Sequence, residues 1–438
     1  MACHFTLKSA MNQTDQIYIN TPSFSTNRYS GFVSLLVLTG LLQLLSACEE
    51  HKASISEGYE TIRTYPFSDP APVPVFADIT NQRGNIHIYP YFSFNQYSHD
   101  PTDQDWNVIR LENDFIEVSI LPEVGGKIWG AVEKSTGRDF IYQNQVKKFR
   151  NIALRGPWTS GGIEFNFGVI GHTPATSTPV DYITRNNDDG SVSTTVGALD
   201  LPSRTEWRVT ITVPADKAYF ETESFWYNPT PLEQSNYVWM NAAVEAKEDL
   251  QFFFPGNYHI GHQGDAHSWP IDEEGRDLSW YKNNDFGGSK SYHVLGEKSE
   301  FFGGYWHDED IGFGNWSLYN DMPGKKLWIW AHSRAGAIWE ELLTDEDGQY
   351  VEVQSGRLFS QVTGGADETP FNHDALEIAA TERWKEAWFP VKETGGISSA
   401  SPYGVLHVDE MDGKTVIRLM GLQSVNEDLQ ISLGGDLI

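Results

Sequence analysis

Four stretches of this chain gather carboxylates, imidazoles and amides among aromatic and glycine residues. The densest is Arg155-Gly-Pro-Trp-Thr-Ser-Gly-Gly-Ile-Glu-Phe-Asn-Phe-Gly-Val-Ile-Gly-His-Thr-Pro174, which sets Arg155, Trp158, Glu164, Asn166 and His172 among five glycines. Glycine lets backbone turn sharply or approach a ligand closely, and polar groups among aromatics orient ligands in clefts. The bland alternative is a glycine-rich corner with Glu164 in solvent. A second stretch, Asn257 to His267, holds His259, His262 and His267. In the third, Glu352 and Gln354 alternate on one strand face, with Arg357 following. In the fourth, Glu382, Trp384, Glu386 and Trp388 share a face, either a sugar platform or a solvated edge.

These residue types suit a polyol. Aromatic faces stack on the apolar faces of pyranose rings, while carboxylates, amides, imidazoles and guanidinium groups satisfy the hydroxyls. Glycoside hydrolysis in particular needs one carboxylic acid and one carboxylate flanking the scissile bond. The carboxylate candidates for catalysis are therefore Glu164, Glu352 and Glu382. The ligand-binding candidates are Arg155, Trp158, Asn166, His172, His262, Gln354, Arg357, Trp384 and Glu386. The three histidines lack the spacing of a helical zinc pair, so no metal site is expected, and neither Ca²⁺ nor any other cofactor is indicated. Trp158, Trp269, Trp280, Trp306 and Trp316 fall in loop-like stretches beside polar residues, whereas Trp207, Trp239, Trp328 and Trp330 read as core residues on strands. Nucleotide-binding loops, a nucleophile elbow and a His-Glu-x-x-His motif are all missing.

The elements that must carry these residues are strands. Period-2, β-branched runs recur from Asn107 to Met420, separated by turn signals such as Asn187-Asp-Asp-Gly190 and Asp345-Glu-Asp-Gly348. Capped helical periodicity is not evident over any long window. The pattern predicts an all-β chain with two large packed antiparallel sheets over residues 85–395. Residues 396–438 read as the start of a partial C-terminal β-module. Residues 48–84 read as a linker leading into a proline-rich extended arm over 66–75.

Composition narrows the partners. The formal charge is −29, from 31 Lys and Arg against 60 Asp and Glu, which disfavours nucleic acid. It also disfavours an anionic glycan unless a local basic cleft or a metal compensates. The apolar run Gly31 to Ala47 reads as a signal peptide, so residues 1–47 are expected to stand outside the fold. Leu45-Ser46-Ala47-Cys48 matches a bacterial lipobox, predicting lipidation at Cys48 and attachment to a bacterial membrane through that anchor alone, in the periplasm or at the cell surface. The chain's two cysteines are Cys3 and Cys48, so the mature domain would hold no disulfide and no thiol nucleophile. Oligomeric state is not legible.

The stretch Leu111 to Ile141, with its Pro122-Glu-Val-Gly-Gly126 turn and Thr136-Gly-Arg138 hairpin, resembles the opening of galactose-mutarotase-like domains. Gly161-Gly-Ile-Glu-Phe-Asn166, Glu352-Val-Gln-Ser-Gly-Arg357 and Glu382 to Pro390 are similar to a bacterial lipoprotein family of that superfamily. The resemblance implies a β-supersandwich with a concave, carbohydrate-binding sheet face. It also implies a mid-domain histidine as proton donor, for which His259 has the matching chain order, and a late glutamate as base. Longer members of the family continue into tetratricopeptide-type repeats, so this chain is expected to be a fragment. The expected function is an exported lipoprotein that binds a glycan and processes it as a glycoside hydrolase or epimerase-like enzyme; the alternative is a non-catalytic glycan-binding lipoprotein. On either reading the four stretches should line one concave surface.

Overall fold

A computed structural model of the chain describes residues 15–19, 51–67, 98–151, 157–168, 171–201, 203–236, 238–261, 265–358, 375–412, 414–424, 432–433 and 436–437. The alternating segments form strands because β-branched and aromatic side chains fit a pleated, half-buried surface. They assemble into two large sheets. The 13-stranded sheet runs Ala266–Ser268, Tyr258–Ile260, Lys290–Leu295, Gly324–Ile329, Tyr350–Gly356, Trp239–Glu245, Ile163–Asn166, Lys127–Glu133, Ile116–Leu121, Thr102–Glu112, Ser54–Tyr65 and Val146–Lys148, with Arg138–Ile141 paired onto Lys127–Glu133. The 8-stranded sheet runs Asp181–Asn186, Val192–Leu199, Glu206–Val213, Phe220–Tyr227, Thr381–Lys392, Ile311–Ser317, Phe301–Trp306 and Leu250–Phe253. Pairing within both is antiparallel, apart from the parallel contact of Ser54–Tyr65 with Val146–Lys148. The expected all-β, two-sheet sandwich is what the chain forms.

The core lies between the sheets. Ile163, Phe165, Met240, Ala242, Val351 and Val353 of the larger sheet meet Val209, Ile211, Trp226, Trp384 and Trp388 of the smaller. Each large apolar side chain removed from water contributes about 1.5–3 kcal/mol. The outer face of the larger sheet is covered too. The helix Arg334–Leu343, capped by the Ser333 hydroxyl accepting from the Ala335 amide at 3.2 Å, brings Leu343 and Trp339 against Trp330, Tyr142, Trp158 and Tyr350. Strand alternation corrects several expectations for tryptophan. Trp239 and Trp328 point to this outer side and Trp330 joins its cluster, whereas Trp269 and Trp306 lie in the central core.

Ser399–Ser401, Gly404–Met411 and Lys414–Gly421 form a four-stranded sheet with Asp15–Ile19. This is not a separate hydrophobic unit. Ala400, Val405, Met420 and Leu422 belong to the sandwich core, and the Ala218 amide donates to the Leu422 carbonyl at 2.8 Å. The pairing of Asp15–Ile19 also departs from the expectation that residues 1–47 stand outside the fold; its alternating Ile-Tyr-Ile suits an edge strand. Cys48 and most of the proline-rich arm (68–75) lie outside the described residues.

Gly162 is where the covering loop enters the larger sheet. Its amide donates to the Tyr142 carbonyl at 2.9 Å and its carbonyl accepts from the Ala243 amide at 2.8 Å. With φ at +66°, an added Cβ would sit 1.9 Å from the Ile128 carbonyl oxygen. Gly162→Ala should destabilise the chain by about 3 kcal/mol or more, since backbone must move. Gly137→Ala, at φ +71° but with nothing within 4 Å of the new carbon, should cost only about 1 kcal/mol. Chemical denaturation of both variants reads the difference, and equal losses would refute the steric account.

Candidate functional site

One residue of register decides which side chains face outward. Ile163 pairs with Ile128, setting Glu164 beside Lys127. Glu164 pairs with Asn241, Asn241 with Gln354, and Gln354 with Lys326. Glu352 sits two residues before Gln354, opposite Ala243 on one side and Trp328 on the other. The neighbours Ile163, Phe165, Met240, Ala242, Val351 and Val353 alternate into the core. A polar row therefore crosses five adjacent strands on the outer face. The Pro122–Gly126 turn delivers Lys127 to its start.

The row is roofed by the 157–162 loop and by His172. Glu164 is 2% exposed. It accepts from Trp158 Nε1 at 2.6 Å and from Asn241 Nδ2 at 3.0 Å. His172 Nδ1 lies 2.7 Å from Glu164 Oε1, an ion-pair contact outside good hydrogen-bond alignment. The His172 ring sits edge-on between Trp158 and Trp239, at 5.3 and 5.1 Å. Its φ of +49° is a left-handed conformation, uncommon for a non-glycine residue. Asn166 accepts from the Thr173 amide at 3.3 Å, holding the His172 loop against the strand. Glu352 accepts from Gln354 Nε2 at 3.0 Å and Tyr350 Oη at 3.3 Å. Lys127 Nζ donates to the Thr159 carbonyl at 2.8 Å. Lys127, Trp158, Glu164, Asn241, Tyr350 and Glu352 together line a small cavity of about 10 Å³, room for about one water.

The two carboxylates are pushed in opposite directions. Burial alone would raise Glu164, but the His172 charge, Lys127 and the Asn241 bond outweigh it and hold the carboxyl at about 2. Burial raises Glu352 above the usual carboxylate range; the Glu164 charge adds to this, and His172 and Lys326 pull against it. Burial depresses Lys127 to about 8 despite Glu164 and Glu352, and depresses Lys326 to about 8 despite Glu352. Two acidic groups separated in this way are what proton-transfer chemistry uses, one kept as an anion and the other able to carry a proton.

The expectation of one shared surface holds for Trp158, Glu164, Asn166, His172, Glu352 and Gln354. It fails for His259, Arg357, Glu382, Trp384 and Glu386. His259 pairs with Val294, in the row that turns toward the core. There it packs edge-on against Tyr292 at 4.7 Å, and burial, with His267 nearby, lowers it to about 4. Trp384 is a core residue packed with Phe167. Glu386 lies between the sheets, accepting from Asn315 Nδ2 at 3.1 Å and from the Ser355 hydroxyl. Glu382 pairs with Arg357 Nε at 2.9 Å, and the Arg357 guanidinium lies 5.1 Å from the Trp384 ring centroid. Glu382, Trp384 and Glu386 depart from the outer row because Thr381–Lys392 belongs to the smaller sheet. Arg155 and His262 fall outside the described residues. Among the described residues, no group of three or more His, Cys, Asp or Glu could hold a metal ion.

Sequence reading missed Lys127, Asn241, Lys326 and Tyr350. The signal for Asn241 was present as a single amide inside the apolar strand Trp239–Glu245. Lys325-Lys326 at the start of an apolar strand was a similar one, since alternation must turn one of the two inward.

The opposed shifts give opposite acid responses. The Glu164 carboxylate contributes stability that is present above its unfolded value, near 4.5, and lost as pH falls toward about 2. Glu164→Gln should thus be destabilising at neutral pH, with the deficit shrinking in acid. Glu352 is raised on folding, so its ionisation costs stability as pH rises above about 4.5. Glu352→Gln should be neutral or stabilising at pH 7. Denaturation midpoints across pH test both, and deficits of the same sign and pH profile would contradict the assignment.

The family model described as domain of unknown function (DUF5107) matches residues 84–391. Among solved structures, a TPR-domain containing protein from Parabacteroides distasonis is similar over 78% of this chain, at 23% identity and a TM-score of 0.66. This chain covers 55% of that protein, about half its length. A galactose mutarotase-like protein from Clostridium acetobutylicum matches at 9% identity and a TM-score of 0.49, over 66% of this chain and 96% of its own. One from Lactobacillus casei matches at 14% and 0.47, over 65% and 99%. With the family model spanning its larger sheet from Thr102–Glu112 through Tyr350–Gly356, this chain belongs to the DUF5107 family.

Proposed function

We propose that this chain is an exported carbohydrate-active protein, lipid-anchored through Cys48 to a bacterial membrane. Its outer sheet face takes a sugar ring and transfers a proton on it, with Glu352 as the acid and Glu164 as the fixed anion. The observation that carries this reading is the opposed displacement of two buried carboxylates that line one cavity with Asn241 between them. Trp158 supplies an aromatic wall, and the buried Asn241 Oδ1 and Gln354 Oε1 have no hydrogen-bond donor from the protein, which suits them to accept sugar hydroxyls. The resemblance of the Pro122–Gly126 turn and its flanking strands to mutarotase-like domains points to the same ligand class. Within that class, ring opening or glycosidic cleavage both begin with protonation of an ether oxygen, the step Glu352 would serve.

A non-catalytic glycan-binding protein is the second reading. It is favoured by the number of donors already fixed on Glu164, which suits a permanent hydrogen-bond acceptor. Anomer exchange followed by NMR over a panel of reducing sugars, with glycoside cleavage assayed alongside, separates the two. Under the enzymatic reading, Glu352→Gln lowers turnover by about 10²–10⁴-fold with substrate affinity little changed. If the wild type turns over no sugar but binds glycans, and Glu352→Gln weakens that binding, the binding protein is correct. A wild type that neither binds nor converts any sugar would sink both readings.

The anchor has its own test. Cys48→Ser should move the protein from the membrane fraction to the soluble fraction without changing its thermal midpoint. Continued membrane attachment of the variant would overturn lipidation at that residue.

A further inference from the structure

The outer row contains a cation that the protein itself does not use. Lys326 is 6% exposed, yet among the described residues its Nζ makes no hydrogen bond and no ion pair. Its contacts there are with indole faces, 5.5 Å to Trp239 and 6.0 Å to Trp328. Glu352 acts on it through space but stays beyond ion-pair contact. In the adjacent strands Lys326 is flanked in register by Gln354, whose Oε1 is buried without a partner, and by His293. Removing an ammonium from water without giving it an acceptor is costly, and buried charges in proteins are ordinarily paired. Lys326 is thus nearly buried beside the candidate site with no acceptor supplied by the described residues.

We propose that Lys326 receives an anionic substituent of the ligand, so that the site takes a sugar acid in preference to the corresponding neutral sugar. This inference rests on the carbohydrate reading above and narrows it. A ring lying against Trp328, the half-buried indole of the row, with its reactive oxygens toward Glu352, would bring a substituent to Lys326 Nζ. A carboxylate there makes a charge-assisted hydrogen bond, stronger than one to a neutral hydroxyl. The surrounding charge agrees. The chain as a whole carries −29, which would repel an anionic glycan, but this face sets Lys127 and Lys326 against Glu164 and a Glu352 that resists ionisation. That is the local basic cleft an acidic ligand requires. A ring phosphate offers the same chemistry from another source.

The test is calorimetric titration of the full chain with matched pairs: glucose and glucuronate, galactose and galacturonate, mannose and mannuronate, with the hexose 6-phosphates as a third arm. The expected result is that at least one uronate binds at least about tenfold more tightly than its neutral partner, and that the preference falls as salt is raised. Lys326→Met should abolish the preference, the affinity for the uronate falling to that for its neutral partner. Lys326→Gln serves if the methionine variant does not fold. A preference for the hexose phosphate over the uronate upholds the role of Lys326 and assigns the anion as phosphate. Equal affinity for neutral and acidic partners in the wild type overturns the inference while leaving the carbohydrate reading intact, as does a preference that survives loss of the lysine. Binding of no sugar at all removes the carbohydrate reading itself.

Discussion

Everything at the candidate site follows from placing ionisable groups on a sheet face that other elements then bury. Strand alternation forces the choice: Ile163 and Phe165 must enter the core, so Glu164 and Asn166 must leave it on the opposite side. On a solvated sheet that would be unremarkable. Here the 157–162 loop, the His172 loop and the helix Arg334–Leu343 close over the polar side. Each carboxylate is therefore denied water and must be matched by donors from the protein. Glu164 obtains Trp158 and Asn241, with His172 in ion-pair contact. Glu352 obtains two neutral donors, which satisfy lone pairs without supplying charge. The difference between the two glutamates is thus a difference in partners, with burial common to both.

The strand Tyr350–Gly356 links this face to the interior of the sandwich. While Glu352 and Gln354 point outward, Ser355 points between the sheets and donates to Glu386 of Thr381–Lys392. Lys325, the inward neighbour of Lys326, lies near enough to Glu386 to oppose its upward shift. A second buried polar cluster thereby pins the back of the strand that carries the site. Arg357, just beyond the strand end, adds the ion pair to Glu382 on the other sheet. Residues that seemed from their types to be ligand contacts serve here to fix the relative position of the two sheets.

The fold class was legible because period-2 alternation and turn residues are local properties, and they recur along the whole chain. Half the site was legible for the same reason: a glycine-rich stretch carrying Trp158, Glu164, Asn166 and His172 is unusual in itself. What one sequence does not contain is which sheet a strand joins. Thr381–Lys392 and Tyr350–Gly356 have similar mixtures of carboxylate and aromatic side chains, but they lie in different sheets. Glu382 and Glu386 accordingly went astray while Glu352 did not. His259 failed on parity, since a placement one residue along would have turned it to the outer face. Lys127 and Lys326 were overlooked because lysine in a strand ordinarily signals an edge or solvent; only tertiary covering shows that they are buried.

The polar row is carried by strand register and not by loop excursions, and this shapes how such a site can change over evolutionary time. Loop-built sites diversify by insertion and deletion, which leave the scaffold alone. Within Tyr350–Gly356 or Ile163–Asn166 a single inserted or deleted residue would exchange inward and outward sides from that point on, sending glutamate into the core and valine or phenylalanine to the outer face. Length variation in these strands is therefore lethal to the fold. The chemistry of the outer face can drift only by point substitution at alternate positions, or by remodelling of the roofing loops. The lengths of these strands should consequently be as invariant as their core residues, even where the outward side chains differ.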